Sequence, residues 1–333
     1  MKLNLQQLRP AILGAARVGE ESDGIRFYRF TAKQETVYRT NHPDFYQKSL
    51  ATAGVQICFA TDSKTLSLEL TYFKGSSRPF AVTDVFCNGK MIGRIGSGDA
   101  ADGRFEKCFW LGDGKKDVRI VFPWSSATVL RALELDDGCS FQPLSRARNM
   151  LLFGDSITQG YDARYPSHSF ASVLAELLHA DARNKGIGGE QFNPALIDEE
   201  EAAHSEIIVV AFGTNDWAGK QLPDAIREKV SRFFGTLAAC APKTVVFAVT
   251  PIWRGDEYSL RSDMPFSDVA QIIRERTAAF GNVGVIDGFG LVPHDPSLFS
   301  PDILHPNDAG NAFYAERLYR KINEKMQELQ NDG

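Results

Sequence analysis

A serine placed just after a buried strand serves either as a nucleophile or as a turn residue. In "NMLLFGDSITQGYD" (Asn149 to Asp162) an apolar run stops at Gly154, and Ser156 follows. Gly-Asp-Ser alone reads as a turn, because glycine tolerates positive φ and Asp and Ser bond their own backbone. A nucleophilic serine also needs a base for its proton and donors for the oxyanion that forms. Three later blocks carry such residue types: "NKGIGGE" (Asn184 to Glu190), "FGTNDW" (Phe212 to Trp217) and "DILHPND" (Asp302 to Asp308). Each has a plain reading too. Gly186, Gly188 and Gly189 make a loop, Asn215 suits a turn, and His305 stands beside a helix N-cap at Asn307.

Other chemistries fail on spacing. "GIGGEQ" has Gln191 where a dinucleotide loop needs its third glycine, and no phosphate-binding G-x-x-x-x-G-K-[ST] occurs. The remaining histidines (His42, His168, His179, His204, His294) lack zinc-ligand spacing, so neither a metal nor another cofactor is expected. "DEEEAAH" (Asp198 to His204) reads as a solvated face.

Two kinds of element must position these residues. Up to about residue 146 the pattern is β. Val55, Ile57 and Phe59 alternate with other residues, as do Leu66, Leu68 and Leu70, and then Val118, Ile120 and Phe122. "TVLRALEL" adds another strand. Asn88-Gly89 sits between two strand-like runs and predicts a type I′ hairpin. No amphipathic helix is expected between Gly24 and Gly138. Short strands parted by Gly- and Asp-rich turns imply a sandwich of jelly-roll type. From about Ser145 buried strands alternate with helices, which implies a doubly wound parallel sheet. Phe170, Val173, Leu174, Leu177 and Leu178 mark one helix stripe. Ala312, Ala315, Tyr319, Ile322, Met326 and Leu329 mark the last. The Ser156, Asn215 and Thr250-Pro251 segments all fall at strand carboxyl ends, where such sheets build their sites. The expected domains are 1–146, an accessory β-sandwich, and 147–333, an α/β domain that carries the Ser156, Asn215 and His305 blocks.

With 333 residues, 43% hydrophobic and 24% charged, the chain has globular composition. A net charge of −5 argues against nucleic acid or an anionic membrane as the main partner. Polar residues interrupt the first segment, and no run approaches a membrane span. Cys58, Cys87, Cys108, Cys139 and Cys240 lack close spacing and suit reduced thiols. Cytoplasmic localisation is expected.

The blocks around Ser156, Gly189, Asn215 and His305, in that order, resemble the SGNH (GDSL) family of serine esterases and acyltransferases over roughly residues 148–325. The resemblance implies a flavodoxin-like five-stranded sheet. It makes Ser156 the nucleophile, His305 its general base and Asp302 the residue that orients His305. The oxyanion hole would join the N–H of Ser156, the N–H of Gly189 and the amide of Asn215, with Gly188 as alternative to Gly189. Asp287 competes with Asp302 and reads as structural. Asp155 and Asp216 read as acceptors that hold the site loops.

A jelly roll ahead of such a domain is similar to carbohydrate esterase family two and to some acyl hydrolases and acyltransferases. "GDSITQGYD" and "NKGIGGE" depart from the deacetylase subgroup. No long apolar insertion suggests a lipase lid. The leading expectation is therefore hydrolysis of a short acyl ester, acetyl above all, on a small molecule or oligosaccharide. An acyltransferase and a non-catalytic glycan-binding protein are the alternatives. Tyr161, Trp217 and Trp253 are the expected substrate-contacting aromatics, with Asp162, Tyr165 and Arg254 nearby. A homo-oligomer is also allowed.

Overall fold

The computed structural model describes residues 1–259 and 261–331, with side chains described through 328 in the last helix. Leu329 of the expected stripe, residues 332 and 333 of the expected second domain, and residue 260 of the loop after Thr250 lie outside that description. The chain divides into two compact units. The first is Met1–Ala147 with Tyr165–Ser167 and Asp181–Asn184; the second comprises Arg148–Arg164, His168–Ala180 and Lys185–Gly333.

The first unit is built on eight strands: Gly24–Tyr28, Gln56–Thr61, Thr65–Lys74, Ala81–Cys87, Lys90–Ser97, Gly103–Trp110, Lys116–Val121 and Ser126–Leu135. The first pairs with the eighth, the second with the seventh, the third with the sixth and the fourth with the fifth, all antiparallel. This nested pairing is jelly-roll connectivity. Three short strands extend the sheets: Ile12–Leu13, Arg17–Glu21 and Phe141–Pro143. The inner faces pack as one core. Leu66, Leu68, Leu70 and Leu130 come from one sheet, and Ile57, Phe59, Val118 and Ile120 from the other. Asn88 and Gly89 both take positive φ, 47° and 74°, as the hairpin pattern requires.

Two helices, Ala32–Asn41 and Pro43–Ser49, stand where none was expected. The first opens with a capping box between Thr31 and Gln34. Its buried residues are Gln34, Glu35 and Tyr38, with Glu35 paired to Arg17 at 2.5 Å. A buried face made mostly of polar residues leaves no apolar period to read.

The parallel sheet consists of β1 (Arg148–Gly154), β2 (Ala180–Asn184), β3 (Ile207–Ala211), β4 (Val245–Val249) and β5 (Val283–Ile286), in the order β2-β1-β3-β4-β5; β1, β3, β4 and β5 belong to the second unit, and β2 from Asp181 on is grouped with the first. Met150 pairs with Ile207 and Gly154 with Ala211, so the serine segment and the Asn215 segment leave the sheet side by side. Helices are α1 (Ser156–Gln159), α2 (Phe170–Leu177), α3 (Glu199–Ala203), α4 (Thr214–Ala218), α5 (Pro223–Cys240), α6 (Ser267–Thr277) and α7 (Asp308–Asn331). Phe153, Val210 and Ala248 of the sheet pack with Phe233, Phe234 and Ile273 of the helices.

Two stripes shift from expectation. In α2, Phe170 and Leu174 are buried but Leu177 is 40% exposed. In α7, Asn311, Tyr314, Ala315, Leu318 and Ile322 form the buried face, and Ala312 is exposed. The buried Asn311 explains that rotation: its amide accepts from Phe170 N–H and donates to the Pro306 carbonyl. Among the described residues no helix is long and apolar enough to cross a membrane.

Candidate active site

Ser156 is the first residue of α1. Asp155 caps that helix, its Oδ1 accepting from the Ile157 N–H at 2.9 Å. The serine is 6% exposed. Its hydroxyl donates to His305 Nε2 at 2.8 Å, and His305 Nδ1–H donates to Asp302 Oδ2 at 2.6 Å. A carboxylate only accepts, so Nδ1 carries the proton and Nε2 is the free acceptor. The sequence places both partners in one turn. Asp302 Oδ1 accepts from the N–H groups of Leu304 and His305, at 3.0 and 3.1 Å, which aims Oδ2 at the ring. Asn307 caps α7 through Ala309 and Gly310, so the plain reading of that block holds beside the chemical one.

Burial alone would raise the Asp302 carboxyl. The bonds from the His305 ring and from the His305 and Leu304 N–H groups outweigh it and hold the group well below the usual carboxylate range. Asp287 plays no part here: it accepts from Thr250 and Arg274 instead.

Asn215 Nδ2 gives one hydrogen to the Glu190 carbonyl at 3.0 Å, and its second hydrogen has no acceptor among the described residues. The Gly188 N–H is committed to Gln159 Oε1 at 2.8 Å. The N–H of Gly189, at φ 96°, and the N–H of Ser156 have no acceptor among the described residues. Gly188 is required by close approach: a Cβ there would meet the Tyr161 hydroxyl at 2.7 Å. Gln159 and Gln191, the latter donating to the Asn215 carbonyl at 3.0 Å, hold these loops. Neither glutamine is marked by any motif.

Asp155 and Asp216 serve the loops as expected. Asp216 Oδ1 accepts from the Phe192 N–H at 3.2 Å. Burial pushes Asp155 up to about 6 and Asp216 up to about 7; the N–H bonds oppose it, and the Asp155 charge adds to the rise at Asp216.

Of the expected substrate aromatics, Trp217 needs correction. Trp217 is 0% exposed. Its Nε1–H donates to the Met264 carbonyl, its ring meets Phe266, and the Arg254 guanidinium lies 4.9 Å from it. It anchors the loop after β4 and offers no face to a substrate. Arg254 is buried as well, bonded to Thr214 Oγ1 and Asp256, rather than standing at an entrance. Tyr161 is 5% exposed, about as much as Ser156, and its ring lies tilted 5.6 Å from the His305 ring. Trp253 is half-buried and stacks on His294 at 5.4 Å. Tyr165 groups with the first unit.

Among the described residues, Asp162, Asp302 and His305 present ligand atoms within 4.8 Å of one another. Nδ1 and Asp302 are already joined by a hydrogen bond, and Asp302 Oδ1 by two more, which leaves little donor capacity for an ion.

Residues 152–313 match the model of the GDSL-like lipase/acylhydrolase family. No curated protein matches the chain. Among solved structures, a salicylyl-acyltransferase from a tetracycline biosynthetic pathway is 18% identical with TM-score 0.82, covering 95% of both chains. A family two carbohydrate esterase from Cellvibrio japonicus is 18% identical with TM-score 0.68, covering 96% of both. An acetyl xylan esterase from Butyrivibrio proteoclasticus is 16% identical with TM-score 0.66, covering 98% of both. At these identities the likeness is one of fold.

Proposed function

Residues 152–313 match the model of the GDSL-like lipase/acylhydrolase family, and from that premise we propose that the protein is a serine esterase. It hydrolyses short acyl esters, acetyl above all, carried on a carbohydrate. The observation that carries the reading is the unbroken chain Ser156 Oγ, His305 Nε2, His305 Nδ1, Asp302 Oδ2, at 2.8 and 2.6 Å. Ser156 Oγ attacks the acyl carbon while His305 takes its proton. The tetrahedral oxyanion sits between the N–H groups of Ser156 and Gly189 and the free hydrogen of Asn215. His305 then protonates the leaving alcohol, and water repeats the cycle on the acyl-enzyme. Two solved neighbours are carbohydrate esterases, one of them acting on acetyl xylan, and they support the sugar-ester reading.

The acyltransferase neighbour favours a second reading, in which an acceptor alcohol replaces water at the acyl-enzyme. One experiment separates the two. Acetylated sugars and p-nitrophenyl esters are incubated with and without acceptor alcohols, and products are followed by mass. The esterase reading expects free acetate regardless of acceptor and acetate esters preferred over octanoate. Long-chain preference would refute the deacetylase reading; product found only with acceptor would favour transfer.

A further inference from the structure

His305 faces two carboxylates, and the esterase mechanism above uses one. Asp162 Oδ2 lies 3.6 Å from Nδ1, beyond hydrogen-bond range but within ion-pair reach. Asp302 arrives from the loop before α7, Asp162 from the turn that follows α1. The Asp302 side chain is 39% exposed and that of Asp162 only 15%. A charge withdrawn from water is less screened, so the longer distance does not make Asp162 negligible. Its backbone is held at φ 63°, left-handed, a conformation that Asp and Asn tolerate better than other residues with a side chain. Nothing in the Asp-x-x-His pattern marks this residue.

We infer that Asp162 is a second positioning residue, whose carboxylate shares with Asp302 the stabilisation of the His305 imidazolium. The inference rests on the esterase reading. As Ser156 Oγ bonds to the acyl carbon, its proton moves to Nε2 and the ring becomes cationic. That proton then leaves with the alcohol as the C–O bond breaks. The Nδ1 proton stays in place throughout, between Asp302 and Asp162. Among the described residues, the charged or polarisable groups recorded around the ring are Asp302 on its own loop, Asp162 after α1, Asp155 at the head of α1 and the Tyr161 ring.

Asp162→Asn tests this, because Asn keeps the left-handed backbone and removes the charge. kcat/KM for an aryl acetate is measured against pH in wild type, D162N, D302N and the double variant. In D162N the acid limb moves about half a unit or more to lower pH, because the cationic ring has lost a stabilising neighbour, and the plateau drops roughly tenfold. In the D302N background the same change costs more than in wild type, since the two carboxylates act on one nitrogen. A limb that stays in place, whatever the plateau does, overturns the inference. Asp162→Ser is read the same way if D162N does not fold. A separate readout is the His305 ring titration by NMR in S156A, with and without D162N. A lowered midpoint supports the inference and an unchanged one refutes it. If wild type fails to turn over any ester, the esterase reading fails while this titration still decides the role of Asp162.

Discussion

Replacing Asp216 by Asn should change how stability depends on pH, with a sign the structure fixes. Burial raises this carboxyl from 3.8 to about 7, and the nearby Asp155 adds to the rise. The folded protein therefore holds the proton more tightly than the unfolded chain. Stability from this group is fully present below about pH 4 and is lost as pH rises through about 7. A shift of about 3 units at about 1.4 kcal/mol each sets a ceiling of roughly 4 kcal/mol on that loss. Asn at this position can still accept from the Phe192 N–H. Its amide nitrogen would replace Oδ2, which has no partner among the described residues. A buried amide without an acceptor costs about 1–3 kcal/mol at every pH. The variant is thus expected to be less stable than wild type near pH 4, to gain on it between about pH 4 and pH 7, and to hold a constant difference above that. The assay is the thermal midpoint of both proteins across that range. A kilocalorie in a domain of this size moves the midpoint about 2–4 °C, so the swing is readily measured. Asp155, also raised, remains in both proteins, and the difference curve reports the step of the coupled pair. If the two midpoints differ by the same amount at every pH, Asp216 is not a buried, late-ionising acid and the reasoning is wrong.

Two other changes separate chemistry from packing. Asn215→Ala should lower kcat by about 10²–10³ with a small change in KM if, as proposed, the amide's second hydrogen acts on the oxyanion; a loss under about threefold in steady-state kinetics would remove Asn215 from the site. Trp217→Phe should cost about 1 kcal/mol through the lost bond to the Met264 carbonyl and leave KM for every ester unchanged. A selective rise in KM for sugar esters would restore Trp217 as a substrate contact.

The parts of this fold that could be read from sequence are those where one residue type has one physical use. The apolar run before Gly154 is short and ends at glycine, which suits a strand covered on both faces, and Asn88-Gly89 between two strand-like runs suits a tight turn. The Asp302–His305 pair is local, so three residues of spacing suffice to bring ring and carboxylate together. The unread parts depend on distant chain. Gln34 and Glu35 are buried because Arg17 and the capping box satisfy them, and polar side chains give no apolar period. Trp217 follows Asn215 directly, yet Met264, Phe266 and Arg254 enclose it, and adjacency to a site residue says nothing about which way a ring points. Asp162 reaches Nδ1 only because α1 ends after Gln159 and the chain doubles back, which no motif encodes.

The central claim is that Ser156 carries the acyl group. Rapid mixing with p-nitrophenyl acetate, acid quench and peptide mass mapping test it directly. A single acetyl group should appear on the peptide containing Ser156, and both the adduct and turnover should vanish in Ser156→Ala. Hydrolysis that persists undiminished in that variant, or an acetyl group that forms elsewhere at the rate of turnover, would contradict the account.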